Sequence, residues 1–223
     1  MPVYKKVNKD FFKKWSPEMA YVLGFLFADG NIVHTKRNTW FWSLQITDKD
    51  ILIKIKKEIN SSHKVSFKKK VLNNKQLYRL QIGSKEMCED LIKLGLTPQK
   101  SKTMIFPQVP EKYFSDFLRG YFDGDGGVWF GLKNKKNINQ SYVINVCFTS
   151  GSKDFLIFLR GILNKKSILG GSLVEKERGF DLKYSIKNSL ILYKIMYNSN
   201  VLKNNLFLER KRAIFEKFIC LRS

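Results

Sequence analysis

A chain of 223 residues with 43% apolar content can bury one large core or two small ones, which argues against a disordered polyelectrolyte. Its 41 Lys and Arg against 19 Asp and Glu give a formal charge of +22, more than folding or solubility alone requires, so a polyanionic partner is expected. Cys88, Cys147 and Cys220 are scattered with only His34 and His63 to accompany them, which gives neither a disulfide framework nor a readable zinc site.

No run approaches a membrane span, and Met1 to Trp15 lacks the apolar core of a signal peptide. The expected location is intracellular, in a bacterial cytoplasm or an organelle matrix, with no membrane partner. An AT-rich coding sequence would inflate Lys, Asn and Ile and account for part of the excess charge. The basic residues nevertheless interleave with apolar ones in periodic segments, which points to a folded basic surface.

The first predicted helix opens with Ser16 as N-cap and Pro17 at its first position, and Gly30 is the expected stop. A strand follows over Trp40 to Thr47, with Trp40, Trp42, Leu44 and Ile46 on one face and Ser43, Gln45 and Thr47 on the other; only Phe41 breaks the alternation. Ile51, Leu52, Ile55 and Ile59 form a helical stripe. Lys64, Ser66, Lys68 and Lys70 then alternate with Val65 and Phe67, and Arg79 and Gln81 with Tyr78, Leu80 and Ile82. Met87, Cys88, Leu91 and Leu94 make a second covering helix.

Pro98, Pro107 and Pro110 punctuate an extended stretch, which divides the chain into 1–102, a linker 103–110, and 111–223. The second part repeats the order. A helix is predicted from about Glu111 to Gly124, and a strand with Tyr142, Ile144, Val146 and Phe148 against Ser141, Asn145 and Thr149. A covering helix carries Phe155, Leu156, Leu159 and Leu163, and in a last strand Lys183, Ser185 and Lys187 oppose Leu182, Tyr184 and Ile186.

The repetition extends to residues. Tyr21-Val-Leu-Gly-Phe-Leu-Phe-Ala-Asp-Gly30 is echoed by Phe117-Leu-Arg-Gly-Tyr-Phe-Asp-Gly-Asp-Gly126, so that Asp29 and Asp125 stand 96 positions apart. Each acid closes an apolar helix, where the carbonyls are unsatisfied and the helix dipole is negative, which suits a cation. Gly24 and Gly120 clear one face of each helix for close approach of the other. If the repeats pair about a pseudo-twofold axis, Asp29 and Asp125 meet below two sheets. With the adjoining carbonyls of Ala28 and Gly124 they are then the candidate metal ligands.

The polar strand faces offer the side chains that contact phosphates and base edges. The candidate DNA contacts are Ser43, Gln45, Lys49, Lys64, Ser66, Lys68, Lys70, Arg79, Gln81, Lys133, Asn145, Lys183 and Ser185. A merely solvated sheet face would show a similar alternation, without requiring this basic and amide composition.

The two repeated segments, Val22 to Gly30 and Leu118 to Gly126, resemble the paired signature motifs of the LAGLIDADG homing endonucleases in their single-chain, two-motif form. The resemblance implies an α+β fold in which an αββαββα half is repeated in tandem, with two antiparallel sheets forming a saddle over DNA. It also implies Mg2+-dependent hydrolysis of both strands, Mn2+ substituting, with short 3′ overhangs. The family's metal-binding acid falls at the eighth motif position, here Asp29 and Asp125. The sixth position departs, with Phe27 in the first motif and Asp123 in the second.

Asp48 and Lys49 stand where many relatives place Gln and Lys, so Asp48 is a candidate for orienting the attacking water. Lys85 and Lys187 resemble the family's active-site lysines. A target of about 20 bp, roughly one turn of groove per half, and a monomer without an obligate protein partner are implied. A non-cleaving intron maturase or a sequence-specific DNA binder on the same fold is the alternative. The run Asp123-Gly-Asp-Gly126 does not make a calcium loop, because Gly127 and Asn134 stand where ligands are needed.

Overall fold

The computed structural model describes residues 5–67, 76–98, 103–133, 141–198 and 201–222. Helix α1 (Pro17–Asp29) begins as the sequence dictates: the Ser16 hydroxyl accepts from the Met19 N–H at 3.1 Å. It leads directly into β1 (Gly30–His34) and β2 (Trp40–Ile46), followed by α2 (Lys49–Glu58), β3 (Val65–Phe67), β4 (Tyr78–Gly83) and α3 (Lys85–Lys93). The second half repeats this order with α4 (Phe114–Asp125), β5 (Gly126–Lys133), β6 (Ser141–Ser150), α5 (Lys153–Lys165), β7 (Ser172–Lys176), β8 (Gly179–Tyr184) and α6 (Ile186–Met196). A further helix, α7 (Glu209–Cys220), packs against β5 and β6 and lies outside the repeat.

The two four-stranded sheets are antiparallel throughout, in the orders β1-β2-β4-β3 and β5-β6-β8-β7. In both, the predicted apolar face meets the helices: Trp42, Leu44, Leu80 and Ile82 in the first sheet, and Ile144, Val146, Phe148 and Leu182 in the second, are fully buried. The opposite faces stay open.

Two local expectations are revised. Gly30 and Gly126 do end α1 and α4, but in extended conformation (φ −80° and −84°), because each helix runs straight into a strand. They are glycines for lack of space: a Cβ would stand 2.4 Å from the Leu26 carbonyl oxygen or 2.5 Å from that of Phe122. Phe67 is 70% exposed although its alternation assigns it to the covered side, since β3 is a three-residue edge strand that ends there. The proline-punctuated stretch lies against the core. Met104 and Phe106 are buried, the Ser152 hydroxyl donates to the Met104 carbonyl at 2.8 Å, and the Phe106 ring packs 5.2 Å from that of Phe155.

The chain beyond α6 is fastened to α4 by Arg119, which is fully buried. Its guanidinium donates to the carbonyls of Leu206 (2.8 Å) and Met196 (3.3 Å) and pairs with Asp116 at 2.9 Å. Burial raises the Asp116 carboxyl pKa and the guanidinium opposes that shift. A buried arginine of this kind satisfies loop carbonyls that no secondary structure would reach.

Candidate active site and nucleic-acid interface

Helices α1 and α4 touch backbone to backbone. A Cβ on Gly24 would stand 2.1 Å from the Phe117 carbonyl oxygen, and one on Gly120 would stand 2.0 Å from that of Tyr21. The two glycines are therefore equivalent across a pseudo-twofold axis. Glycine inside a helix costs about 1 kcal/mol relative to alanine, and here it permits the contact that joins the halves. Gly24→Ala is expected to lower stability by about 3 kcal/mol, the upper end of overpacking penalties. Thermal denaturation should show Tm about 6–12 °C lower; an unchanged or higher Tm would mean the helices can part without loss.

The same axis relates two pairs that have diverged. Phe27 packs edge-on against Phe117, with ring centroids 5.7 Å apart. The corresponding pair in the other sense is Asp123 with Tyr21, whose hydroxyl donates to Asp123 Oδ2 at 2.7 Å. The Leu208 N–H donates to the same oxygen at 2.9 Å. Burial pushes the Asp123 carboxyl up to about 6, against the pull of Lys211 and these hydrogen bonds. Phe27 thus replaces a buried polar pair with an apolar one, and neither sixth-position side chain is turned to solvent.

Asp29 and Asp125 are the last residues of α1 and α4, one exposed and one partly so. The helix ends that carry them are in contact, since a Cβ on Gly124 would fall 2.2 Å from the Ala28 Cβ. Both acids act on the same two neighbours. The buried Tyr121 hydroxyl, which donates to the Thr149 carbonyl at 2.7 Å, has its pKa raised by burial and then by Asp125 and Asp29. Lys211 feels both as well: burial lowers its pKa to about 8, against the opposing pull of Asp123, Asp29 and Asp125.

Lys211, on α7, is a group that the sequence reading missed. Its ammonium donates to the carbonyls of Phe122 (2.6 Å), Asp123 (2.8 Å) and Gly126 (2.6 Å), so a cation sits on the carbonyl end of α4 directly beside Asp125. In sequence it lies within Glu209-Arg-Lys-Arg212, a charge run that reads as solvated surface. Its neighbour Arg210 takes Asp48, the N-cap residue of α2, with Nε 3.0 Å from each carboxylate oxygen. Asp48 therefore lies at the acid end of the first sheet with its carboxylate already engaged. Thr47, Asp48, Gln76, Tyr78 and Arg210 line a pocket of about 480 Å³ there.

Lys85 and Lys187 do not join this cluster. Gly30, next to Asp29, shares a register row with Leu44 and Leu80; Gly126, next to Asp125, shares one with Phe148 and Leu182. From those rows β4 and β8 run away from the acids, and both lysines come five residues later, about 15 Å along at strand spacing. Lys85 is the first residue of α3 and pairs with Glu89 at 3.7 Å, while Lys187 is the second residue of α6. The two are not even equivalent positions, because Ser84 and Ser185 cap the two helices.

The predicted contact residues fall mostly on the open sheet faces. Gln45, Arg79 and Gln81 are partly exposed; Lys49, Lys64, Ser66, Lys133, Asn145, Lys183 and Ser185 are exposed. Lys68 and Lys70 lie outside the described residues. Ser43 is only 8% exposed; it sits on an interior strand, paired with Asn31 on one side and Gln81 on the other. Ser185 faces outward as the N-cap of α6, past the end of its strand. Asp181, which was not foreseen, lies on the open face of β8, where it accepts from Thr149 at 2.8 Å and pairs with Lys176 at 2.5 Å and Lys183 at 3.5 Å. Burial would raise its pKa, but the bonds from Lys176 and Thr149 hold it below the usual carboxylate value. No described helix is long and apolar enough to cross a membrane.

No family model matches the sequence. The chain is 24% identical over 218 residues to an uncharacterized protein of Methanocaldococcus jannaschii, covering 92% of this chain and 72% of that protein. The homing endonuclease I-WcaI bound to its DNA recognition sequence superposes with a TM-score of 0.59 at 21% identity, over 92% of this chain and 90% of the other. The LAGLIDADG meganuclease I-AabMI bound to uncleaved DNA gives 0.61 at 12% identity, over 93% and 90%. I-SmaMI bound to an uncleaved DNA target in the presence of calcium ions gives 0.55 at 13% identity, over 93% and 90%.

Proposed function

We propose that this chain, which has the LAGLIDADG homing-endonuclease fold with both halves on one polypeptide, is a site-specific DNA endonuclease that breaks both strands of a long, asymmetric target. The observation that carries the reading is the junction of the two motif helices. The tight contact at Gly24 and Gly120 sets two carboxylates side by side at the helix ends, with an open, largely basic and amide sheet face on either side.

The donors fit a hard divalent cation. Asp29 and Asp125 are oxygen donors at the negative ends of two helix dipoles, and the Ala28 and Gly124 carbonyls adjoin them. Among the described residues no group of three His, Cys, Asp or Glu could form a closed cage. Two carboxylates suit Mg2+, which keeps several waters and takes phosphate oxygens as ligands; Mn2+ would substitute. Bound there, the metal would supply an activated water and charge stabilisation at the attacking and leaving oxygens.

The chain's own groups do the rest. Asp29 and Asp125 would hold the metal. Lys211 fixes the carbonyl end of α4 and offsets negative charge beside Asp125, which makes it a positioning residue. Asp48, held by Arg210, borders the pocket at the acid end, where an ordered water could be oriented. Gln45, Arg79, Gln81, Asn145 and Lys183 read base edges and phosphates from the open faces, with Lys49, Lys64, Ser66 and Lys133 along the flanks.

The two faces are unlike. The row beside the first acid is Asn31, Ser43 and Gln81, and its equivalent in the second half is Gly127, Cys147 and Lys183. A site without palindromic symmetry follows, about 20 bp long at roughly one groove turn per half, and one molecule suffices to cut it.

The test is incubation of the purified chain with a randomised double-stranded DNA library in Mg2+, followed by sequencing of the ends produced. Metal-dependent ends centred within one long motif are expected. Enriched binding without any ends would instead assign the chain to non-cleaving DNA binders or maturases.

A further inference from the structure

The open face of the second sheet carries a largely apolar cleft close to Asp125. Along β5, Gly127, Trp129 and Gly131 alternate on that face. The Trp129 ring lies along the strand over Gly131, where a Cβ would fall 2.4 Å from it, and the residue is 56% exposed. On the other side of the ring, Gly127 leaves its place empty, and a Cβ there would stand 2.9 Å from the Cys147 sulfur. Gly127 pairs with Cys147, Cys147 with Lys183, Lys183 with Ser172, and Trp129 with Asn145. These residues line an open cleft of about 640 Å³. Burial raises the Cys147 thiol pKa, so its wall stays uncharged. Lys183 and Asn145, both exposed, supply a cation and an amide at the rim.

The cleft begins two residues after Asp125, and in the first half the same row is filled by Asn31, Ser43 and Gln81. An exposed tryptophan flanked by glycines, beside an apolar thiol, is a poor match for phosphate or for a polar base edge. The apolar group that a DNA duplex presents in its major groove is the 5-methyl of thymine, and it is the feature that separates thymine from the other bases there without a hydrogen bond. Resting on the endonuclease reading, we propose that this cleft receives the methyl-bearing edge of a thymine in the base pairs beside the scissile phosphates on the second half's side. Trp129 and Cys147 form the apolar walls, Asn145 meets the base edge, and Lys183 meets the backbone. Trp129 is then a specificity-determining residue, and the target has a preferred thymine in one half only.

Deoxyuridine removes that methyl and nothing else. With the target identified, each thymine of the duplex is replaced singly by deoxyuridine, and Kd is measured at fixed salt beside the rate of Mg2+-dependent cleavage. One replacement near the cut, in one half-site, is expected to weaken binding about fourfold, the worth of one buried methyl group. The difference between thymine and uracil at that position should vanish in Trp129→Ala, which removes a side chain that is 56% exposed.

Equal Kd for thymine and uracil at every position, with cleavage intact, would overturn the cleft assignment and leave the endonuclease standing. A difference that persists unchanged in Trp129→Ala would also overturn it, as would a target with no thymine near the cut. Failure of any duplex, with thymine or with uracil, to bind specifically or be cut would remove the endonuclease reading itself.

Discussion

Asp29→Asn and Asp125→Asn are each expected to abolish double-strand cleavage while leaving DNA affinity within a few-fold of the parent. Asparagine keeps the size of the side chain and its place at the end of the helix, so α1 and α4 should still pack at Gly24 and Gly120. What is removed is one of two negative charges that would bind the metal. Metal-assisted stabilisation of the transition state is worth several kcal/mol, and a loss of about 4 kcal/mol is a rate loss of about 10³-fold. Single-turnover cleavage of the identified target, read on a denaturing gel, measures this, with gel shift in Ca2+ reporting binding. If either variant cut both strands at near the parental rate, these carboxylates would not be the metal site. If either failed to fold, the acids would be structural.

Lys211→Met should slow cleavage by about 10²-fold, in the range found when one preorganised electrostatic donor is removed from a site. Methionine fills the volume of the lysine stem but withdraws the ammonium from the carbonyls of Asp123 and Gly126 and from that of Phe122, which keeps the Gly126 N–H, at about 1–3 kcal/mol for any buried group left unsatisfied. Part of that cost is offset by no longer burying a charge, since burial already lowers the lysine pKa to about 8. Tm should therefore fall by only a few degrees. Because Lys211 contacts the end of α4 beside Asp125, its loss should retard one strand's cut more than the other's. A nicked intermediate would then accumulate on a supercoiled plasmid carrying the target. Equal slowing of both cuts would mark a general loss of structure instead.

Much of the architecture was legible before any coordinates because it rests on local, periodic physics. Ser16 with Pro17 starts α1, and the alternation from Trp40 to Ile46 sets which face of β2 is buried. The repeat from Tyr21 to Gly30 against Phe117 to Gly126 dictates two like halves, and glycine at the same offset in both motifs signals close helix contact.

Other features were decided in three dimensions. Strand direction, which periodicity does not encode, carries Lys85 and Lys187 away from the acids. Lys211 and Arg210 belong to a helix outside the repeat, in a charge run that looks solvated until α7 folds over the end of α4. Ser43 alternates as an exposed residue should, yet on an interior strand between two paired strands it is only 8% exposed. The two like halves and the glycines that join them depend on spacing along one segment, which repetition in the chain reveals. The cation beside Asp125, the carboxylate held by Arg210 and the cleft under Trp129 depend on strand register and on the docking of distant segments, which spacing along one segment does not encode.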